Sequence, residues 1–376
     1  MTEQAHETKA AGYKTYRQGF VNKLLERRLP MMKNFKTFII ALVLVFLCGT
    51  AAAVETPKFA NLGDFKLESG EVIKDCKLAY RTMGTMNQKK SNIILMTTWF
   101  SGTSQELIDL GFIGDGKMLD TRKYFIIAVD AIGNGVSSSP SNSLDQPDET
   151  FPMFTIRDMV NSEYMLLTKQ LKIKHIHAVA GISMGGMQAF QWVVSYPDFM
   201  DKAVSIVGSP CLSSYDKLAW TAELKVIEAA KKCGADNDDI MKELTPIQTL
   251  FVWTPKFRAE NTKSEDFAAF LAGAEKDLMK YNATNWAWQL KSIMTQDIFR
   301  DFGGSADKAA VAVRARAMVI TSAQDNAVYP GSARAFAVLI NAEAPQLTGD
   351  CGHFAFLCEM GKLDSLVNGF LAKPVK

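Results

Sequence analysis

The sequence predicts an α/β fold: a mostly parallel, doubly wound β-sheet with an inserted helical lid. Short apolar runs without strict alternation recur along the chain, as in strands that are buried on both faces of a parallel sheet. Helix-like segments separate these runs, which is the order typical of doubly wound sheets. One long stretch, about residues 212–308, has few strand features and interrupts the alternation.

Five apolar segments are the clearest strand candidates, and two segments between them have helical character. The strand candidates are residues 92–98, 124–130, 176–180, 203–207 and 317–321, and the helix candidates are residues 157–171 and 187–195. Within the interruption, residues 220–232, 264–279 and 286–294 have helical patterns. Helices inserted between two strands of a sheet are predicted to form a lid, since ligand sites favour such junctions. The alternative is that they only cover an edge of the core.

Composition excludes several classes of protein. The 376 residues include 42 Lys and Arg against 40 Asp and Glu, so no basic excess indicates nucleic-acid binding. Six cysteines are too few for a scaffold built on disulfides, and with five of them beyond residue 50 we predict no particular pairing. Residues 1–53 hold eight Lys and Arg and three acids, which leaves 34 basic and 37 acidic residues, a charge of −3, in residues 54–376.

The first 53 residues have the parts of a targeting segment. A basic start at Met31 precedes an uncharged run over residues 38–48 and small residues that end at Ala53, which is typical of a secretory signal peptide. The run is shorter than the about 20 residues that span a bilayer, although an uncleaved anchor helix is the alternative. We therefore predict a signal peptide over residues 31–53, export to the periplasm or medium, no other membrane contact, and one domain over residues 54–376. Residues 1–30 are either a wrongly extended start or a cytoplasmic tail.

The strongest chemical motif is Gly-Ile-Ser-Met-Gly at residues 181–185, between a strand candidate and a helix candidate. This G-x-S-x-G pattern in a strand–turn–helix context is typical of a nucleophile elbow. Bulky side chains two residues before or after the serine would clash in so tight a turn. The motif predicts that Ser183 is a nucleophile at the N-terminus of a helix, where backbone N–H groups stabilise negative charge.

A serine hydroxyl needs a base and an orienting carboxylate. The chain has four histidines, namely His6, His175, His177 and His353. The first lies in the leader and the next two lie at the start of the strand before the elbow, so His353 is the predicted base by elimination. Asp325 follows a strand candidate and is the predicted carboxylate, with Asp350 as the rival and a turn-capping role as the alternative.

The predicted oxyanion hole has two backbone donors. One is the N–H of Met184, and the other comes from the loop after residues 92–98, where Phe100 is favoured over its neighbour Trp99. No cofactor is predicted, and no metal either, since the pair His175 and His177 lacks the further ligands that zinc needs.

Three segments resemble the homoserine O-acetyltransferase family of α/β hydrolases, and the likeness extends from about residue 66 to 371. They are residues 181–192 (GISMGGMQAFQW), 325–330 (DNAVYP) and 352–357 (GHFAFL). The resemblance implies an α/β-hydrolase fold and acyl transfer, in which Ser183 takes an acyl group and His353 moves the proton. It also implies that members acting on homoserine have an aspartate directly after the histidine and an arginine in the lid. Here Phe354 follows His353, and residues 253–257 (WTPKF) offer no clear arginine counterpart.

These departures favour an esterase with water as the acceptor, because an unpaired ammonium is costly in an apolar pocket. Export also argues against acetyl-CoA, a cytoplasmic metabolite. Trp99 and Phe354, together with the two oxyanion residues, are predicted to line the substrate pocket, with ordinary core packing as the alternative. The expected partner is a small ester, and the sequence leaves a homodimer open. The competing functions are acyl transfer from acyl-CoA and ligand binding without catalysis.

Overall fold

The structure, a computed structural model, describes residues 56–374. Within that part of the chain the strands are β1 Lys58–Lys66, β2 Val72–Met83, β3 Ile93–Thr97, β4 Ile113–Gly114, β5 Leu119–Asp120, β6 Phe125–Val129, β7 Ile176–Ile182, β8 Met200–Ile206, β9 Arg316–Ser322 and β10 Gln346–Leu347. The helices are α1 Ser104–Asp109, α2 Ile156–Met165, α3 Met184–Ser195, α4 Ser214–Lys232, α5 Asn237–Val252, α6 Pro255–Asn261, α7 Phe267–Leu278, α8 Ala283–Met294, α9 Ala306–Ala312, α10 Gly331–Leu339, α11 Ala355–Cys358 and α12 Met360–Ala372. The predicted leader and signal peptide lie outside the described residues.

The central sheet has the predicted mostly parallel arrangement. Across residues 56–374 its eight strands follow the order β1-β2-β6-β3-β7-β8-β9-β10, and β4 and β5 form a separate short pair. Six neighbouring strands, in the order β6, β3, β7, β8, β9 and β10, pair in parallel. Strands β1 and β2 add an antiparallel hairpin at one edge, next to β6. Strands β3 and β6 to β9 are almost wholly buried, because helices cover both faces of a doubly wound sheet.

Each of the five strand candidates forms a strand, with small differences at the ends. Strand β7 continues two residues past the predicted end, to Ile182, and therefore leads directly into the G-x-S-x-G turn. The helix candidate at residues 157–171 is in two parts, since α2 is followed by a wider π-helical turn at Leu166–Gln170. The strands β1 and β2 were not predicted, because exposed and buried residues mix along them.

Between β8 and β9 the chain runs through α4 to α9, which we call the helical insertion (residues 207–315). Helix α4 begins with a capping box, in which Ser213 and Asp216 each accept the other's backbone N–H. The helix candidates at residues 220–232, 264–279 and 286–294 correspond to parts of α4, α7 and α8. The insertion is helical as predicted, and its action as a lid stays a prediction. No helix within residues 56–374 is long and apolar enough to cross a membrane.

A buried carboxyl group lies between α2 and the helix that follows the elbow. The Trp192 indole N–H donates to Glu163 Oε2 at 2.7 Å, and no hydrogen bond within the described residues reaches Glu163 Oε1. Burial raises the pKa of Glu163 to about 8. Because the ordinary pKa is 4.5, the unfolded chain loses this proton at lower pH than the folded protein does. Stability should therefore fall as pH rises from about 4.5 to about 8.

We predict that Glu163→Gln stabilises the protein at pH 8 and that the gain shrinks towards pH 5. Glutamine can still accept the Trp192 N–H and carries no proton to lose in this pH window. Urea unfolding at the two pH values measures the difference, with the exposed Glu228→Gln on α4 as the control. A gain that is equal at both pH values would contradict the explanation.

Candidate active site

The glycines around Ser183 allow backbone segments to approach closely. A Cβ atom on Gly181 would lie 2.2 Å from the carbonyl of Gly185 and 2.3 Å from Thr97 Oγ1, and one on Gly185 would lie 2.5 Å from Thr97 O. Ser183 itself has φ 57°, a left-handed conformation that a residue with a side chain adopts at a cost. The structure therefore has the tight turn that the sequence motif predicts, in which side chains at positions 181 and 185 would clash.

Hydrogen bonds from neighbouring strands hold this strained turn. Ser183 N–H donates to Ile206 O on β8 at 2.8 Å, and Thr97 Oγ1 on β3 donates to Gly185 O at 2.9 Å. Gln188, on the first turns of α3, donates to Thr98 O at 3.1 Å. Thr97 and Gln188 were missed from the sequence, since nothing local to them indicates contact with residues about 90 positions away.

Ser183, His353 and Asp325 form a continuous hydrogen-bonded relay. His353 Nε2 lies 2.8 Å from Ser183 Oγ, and His353 Nδ1 lies 2.8 Å from Asp325 Oδ2. A carboxylate only accepts hydrogen bonds, so Nδ1–H donates to Asp325 and the free Nε2 lone pair accepts the serine hydroxyl. His353 and Asp325 are each 6% exposed, and this burial keeps water from competing for the bonds.

Asp325 is fixed by the backbone that follows β9. Its Oδ1 accepts the N–H groups of Ala327 at 2.9 Å and Val328 at 2.8 Å, which leaves Oδ2 for His353. The next N–H along, that of Tyr329, donates to Asp216 of α4 at 2.8 Å. Asp216 therefore ties the helical insertion to the loop that carries Asp325, a role that its capping position in the sequence did not reveal.

The rival carboxylate, Asp350, is bonded to a lysine and not to His353. It pairs with Lys256 Nζ at 2.7 Å, and this hydrogen bond lowers the pKa of the Asp350 carboxyl below its usual value. Its backbone carbonyl accepts the Thr254 hydroxyl. Lys256 lies in residues 253–257, the segment without a clear counterpart of the family's arginine. It forms its ion pair with Asp350 at the surface.

The loop that carries His353 is held at three points. Gly352 has φ 62°, and a Cβ there would lie 3.0 Å from Val252 O and 3.1 Å from Thr254 N of the insertion. Ser322 Oγ donates to Gly352 O at 2.7 Å. A disulfide joins Cys351 to Cys358, so a covalent ring of eight residues encloses His353. The sequence left this pairing undecided, because spacing alone does not choose among the cysteines.

The two predicted oxyanion donors belong to neighbouring turns of the backbone. Met184 is the first residue of α3, where an N–H has no acceptor within its own helix. No hydrogen bond within the described residues uses the N–H of Phe100, which lies in the turn between β3 and α1. Both groups are therefore free to meet a ligand, and their role stays a prediction.

Aromatic side chains pack beside His353, since the rings of Phe354 and Phe356 each lie 6.1 Å from its imidazole. Phe354 packs edge-on against Trp253 of the insertion with ring centroids 5.0 Å apart, and Trp253 stacks on Phe257 at 4.2 Å. Trp99 contacts Phe112 and Phe356, which belong to the core. Phe354 thus adjoins the site from the side of the insertion, whereas Trp99 packs largely with the sheet. Their role as pocket residues stays a prediction.

His175 and His177 lie at the opposite end of β7, as expected from their position. His175 Nε2 lies 2.9 Å from Asp201 Oδ1, and His177 stacks on Tyr124 at 5.4 Å. Within residues 56–374 no group of three or more His, Cys, Asp or Glu side chains is arranged to hold a metal ion.

Comparison with known proteins agrees with this geometry. Residues 112–230 match a protein-family profile described as "alpha/beta hydrolase fold". The chain is 33% identical over 285 residues to an ethyl acetate hydrolase of Pseudomonas veronii, covering 70% of this chain and 79% of that one. It is 28% identical to a homoserine O-acetyltransferase of Methanosalsum zhilinae, covering 86% and 74%. An acetylester hydrolase of Corynebacterium glutamicum superposes with a TM-score of 0.79 at 27% identity, covering 85% of this chain and 97% of that one.

We predict that replacing both Cys351 and Cys358 by alanine lowers the free energy of unfolding by about 2.5 kcal/mol, the chain-entropy value for a loop of this length. Urea unfolding measures the loss, with Cys233→Ala as the control because Cys233 is a free, exposed cysteine. Equal stability of the double variant and wild type, both purified without reductant, would contradict the disulfide.

Proposed function

The chain belongs to the homoserine O-acetyltransferase-like family of α/β hydrolases, an enzyme family of esterases and acyltransferases, and from this we propose that it is an exported serine esterase. The observation that carries this function is the relay from Ser183 through His353 to Asp325, with both hydrogen bonds at 2.8 Å. A nucleophile, a base and an orienting carboxylate in hydrogen-bond reach are what acyl transfer to serine requires.

The first half of the reaction forms an acyl-enzyme. Ser183 Oγ attacks the ester carbonyl while His353 Nε2 takes its proton, and Asp325 stabilises the resulting imidazolium. The N–H groups of Met184 and Phe100 donate to the oxyanion of the tetrahedral intermediate. His353 then returns the proton to the leaving alcohol, and the C–O bond to that alcohol breaks.

In the second half, water replaces the alcohol. The water oxygen attacks the acyl carbon while His353 takes a proton from that water. A second tetrahedral intermediate then forms in the same oxyanion hole. Collapse of this intermediate breaks the bond to Ser183 Oγ, which recovers its proton from His353. The carboxylic acid then leaves.

The surroundings of His353 favour water over homoserine as the acceptor. Phe354 stands where the family resemblance implies an aspartate for the substrate amine, and it packs on Trp253. An ammonium brought against these two rings would lose water without gaining a carboxylate partner. The substrate class is therefore an uncharged ester, and the names of the esterase relatives support a short acyl group.

Acyl transfer from acyl-CoA is the second candidate, since homoserine O-acetyltransferases are among the relatives. The two functions differ in their need for an acceptor. A transferase should release free CoA from acetyl-CoA only when an alcohol such as homoserine is added, whereas an esterase should hydrolyse p-nitrophenyl acetate without one. A purely binding function is disfavoured by a relay that is already assembled.

We predict that Ser183→Ala lowers kcat for p-nitrophenyl acetate by at least about 10⁴-fold with little change in melting temperature. The hydroxyl is the nucleophile, so the loss should be chemical and should also abolish labelling by a fluorophosphonate. Ser365→Ala, at an exposed serine of α12, is the matched control. Full labelling of Ser183→Ala, or a wild type inactive on short esters, would contradict the esterase function.

Export is the second part of the proposed function. Support comes from the signal-peptide pattern at residues 31–53 and from the disulfide between Cys351 and Cys358, because disulfides persist mainly in oxidising compartments.

We predict that the protein expressed in a Gram-negative bacterium appears in the periplasmic fraction, cleaved near Ala53. Deleting residues 31–53 should retain it in the cytoplasm, because the apolar run that directs export is lost. Fractionation with N-terminal sequencing measures both. An unprocessed N-terminus and cytoplasmic recovery of the intact chain would contradict export.

A further inference from the structure

The turn between β3 and α1, residues Trp99 to Gly102, has an unfavourable backbone conformation. Gly102 N–H donates to Trp99 O at 3.0 Å, which closes a four-residue turn with Phe100 and Ser101 in the middle. Ser101 has φ 55°, whereas Phe100 does not have a positive φ. That combination is typical of a type II turn, whose third position normally requires glycine or asparagine. For serine the left-handed conformation costs about 1 kcal/mol, so other contacts must stabilise it.

Gln289, on helix α8 of the helical insertion, supplies such a contact. Its Oε1 accepts the Ser101 N–H at 2.7 Å, and its Nε2 donates to Ile132 O at 2.9 Å. Gln289 is fully buried, and both hydrogen bonds fix which way its amide faces. Type I and type II turns differ by a flip of the central peptide, which reverses the Ser101 N–H. An acceptor at Gln289 Oε1 therefore stabilises the type II form of the turn.

Helix α8 also contacts the other central residue of the turn. Trp286, one helical turn before Gln289, packs edge-on against Phe100 with ring centroids 4.5 Å apart. The Trp286 indole N–H donates to Glu223 of α4 at 3.1 Å. The far side of the turn is anchored to the sheet, since Asn134 Nδ2 donates to Gly102 O at 2.9 Å. The turn is thus held between the helical insertion and the loops of the sheet.

From this geometry we propose that Gln289 is a positioning residue, which holds the turn at the place from which the Phe100 N–H can donate to the oxyanion on Ser183. The inference rests on the proposed esterase function and extends it, because it makes helix α8 part of the catalytic arrangement. A movement of α8 away from the sheet would remove the contacts to Ser101 and Phe100 and allow the whole turn, with the Phe100 N–H, to shift. The oxyanion hole is then complete only while the insertion is in place.

The first test is Gln289→Met, which keeps the side-chain volume and removes both hydrogen bonds. We expect kcat for p-nitrophenyl acetate to fall about 10- to 100-fold, which is no more than the fall caused by removing one oxyanion donor. KM should change by less than about 3-fold. Gln191→Met is the matched control, since Gln191 is equally buried but bonds to Ser195 at the far end of α3. It should keep wild-type kcat.

The second test, Gln289→Glu, remains informative if the methionine variant does not fold. A neutral carboxylic acid can accept from Ser101 and donate to the Ile132 carbonyl, whereas a carboxylate cannot donate. At acidic pH we expect kcat close to that of wild type at the same pH. As the variant carboxyl ionises, kcat should fall, so its plot against pH has a descending part that wild type lacks. Circular dichroism at each pH checks that the variant stays folded. A purely structural role would not produce an ionisation in kcat.

Variants of Gln289 that keep kcat within about 3-fold of wild type at every pH would overturn the inference. A wild type without ester hydrolysis would instead count against the proposed function. Crystal structures of wild type and Gln289→Met would then decide the inference separately. A displaced Phe100 N–H in the variant supports it, and an unchanged turn overturns it.

Discussion

The close approach of backbone segments around Ser183 is the constraint on which the rest of the structure depends. Gly181 and Gly185 lie against each other and against Thr97, at distances that leave no room for a Cβ. This contact brings the turn after β7 against the end of β3, and within that turn Ser183 has a left-handed conformation. A strained turn persists only where its surroundings hold it, and parallel strands on both sides supply those hydrogen bonds.

The same sheet explains why residues so distant in the chain meet. In a parallel sheet the loops after the carboxyl ends of the strands gather at one edge. Asp325 follows β9 and His353 follows β10, so their loops emerge beside the one that carries Ser183. Short connections to the backbone then fix each side chain, as the N–H groups of Ala327 and Val328 do for Asp325. The relay is therefore held by the protein's own backbone and side chains.

The helical insertion contributes contacts to the loops that carry this site. The backbone of Val252 and Thr254, in the insertion, lies close to Gly352, the residue before the histidine. Asp216 accepts a backbone N–H from the loop that carries Asp325. Gln289 accepts an N–H from the turn after β3. Three loops of the sheet thus each have a partner in the insertion. Beside the histidine, Phe354 packs against Trp253 of the insertion, so an aromatic contact also joins the two.

By itself the sequence predicted the mostly parallel α/β sheet, five of its strands, the elbow at Ser183 and His353 as the base, with Asp325 favoured as the carboxylate. These follow from local spacing and from a histidine count of four, and they need no knowledge of distant contacts. Only the tertiary structure decided between Asp325 and Asp350, paired Cys351 with Cys358, and revealed Gln289. Each of these depends on which surfaces face one another after folding, across as many as 188 residues for Gln289 and Ser101, and no local pattern encodes that proximity.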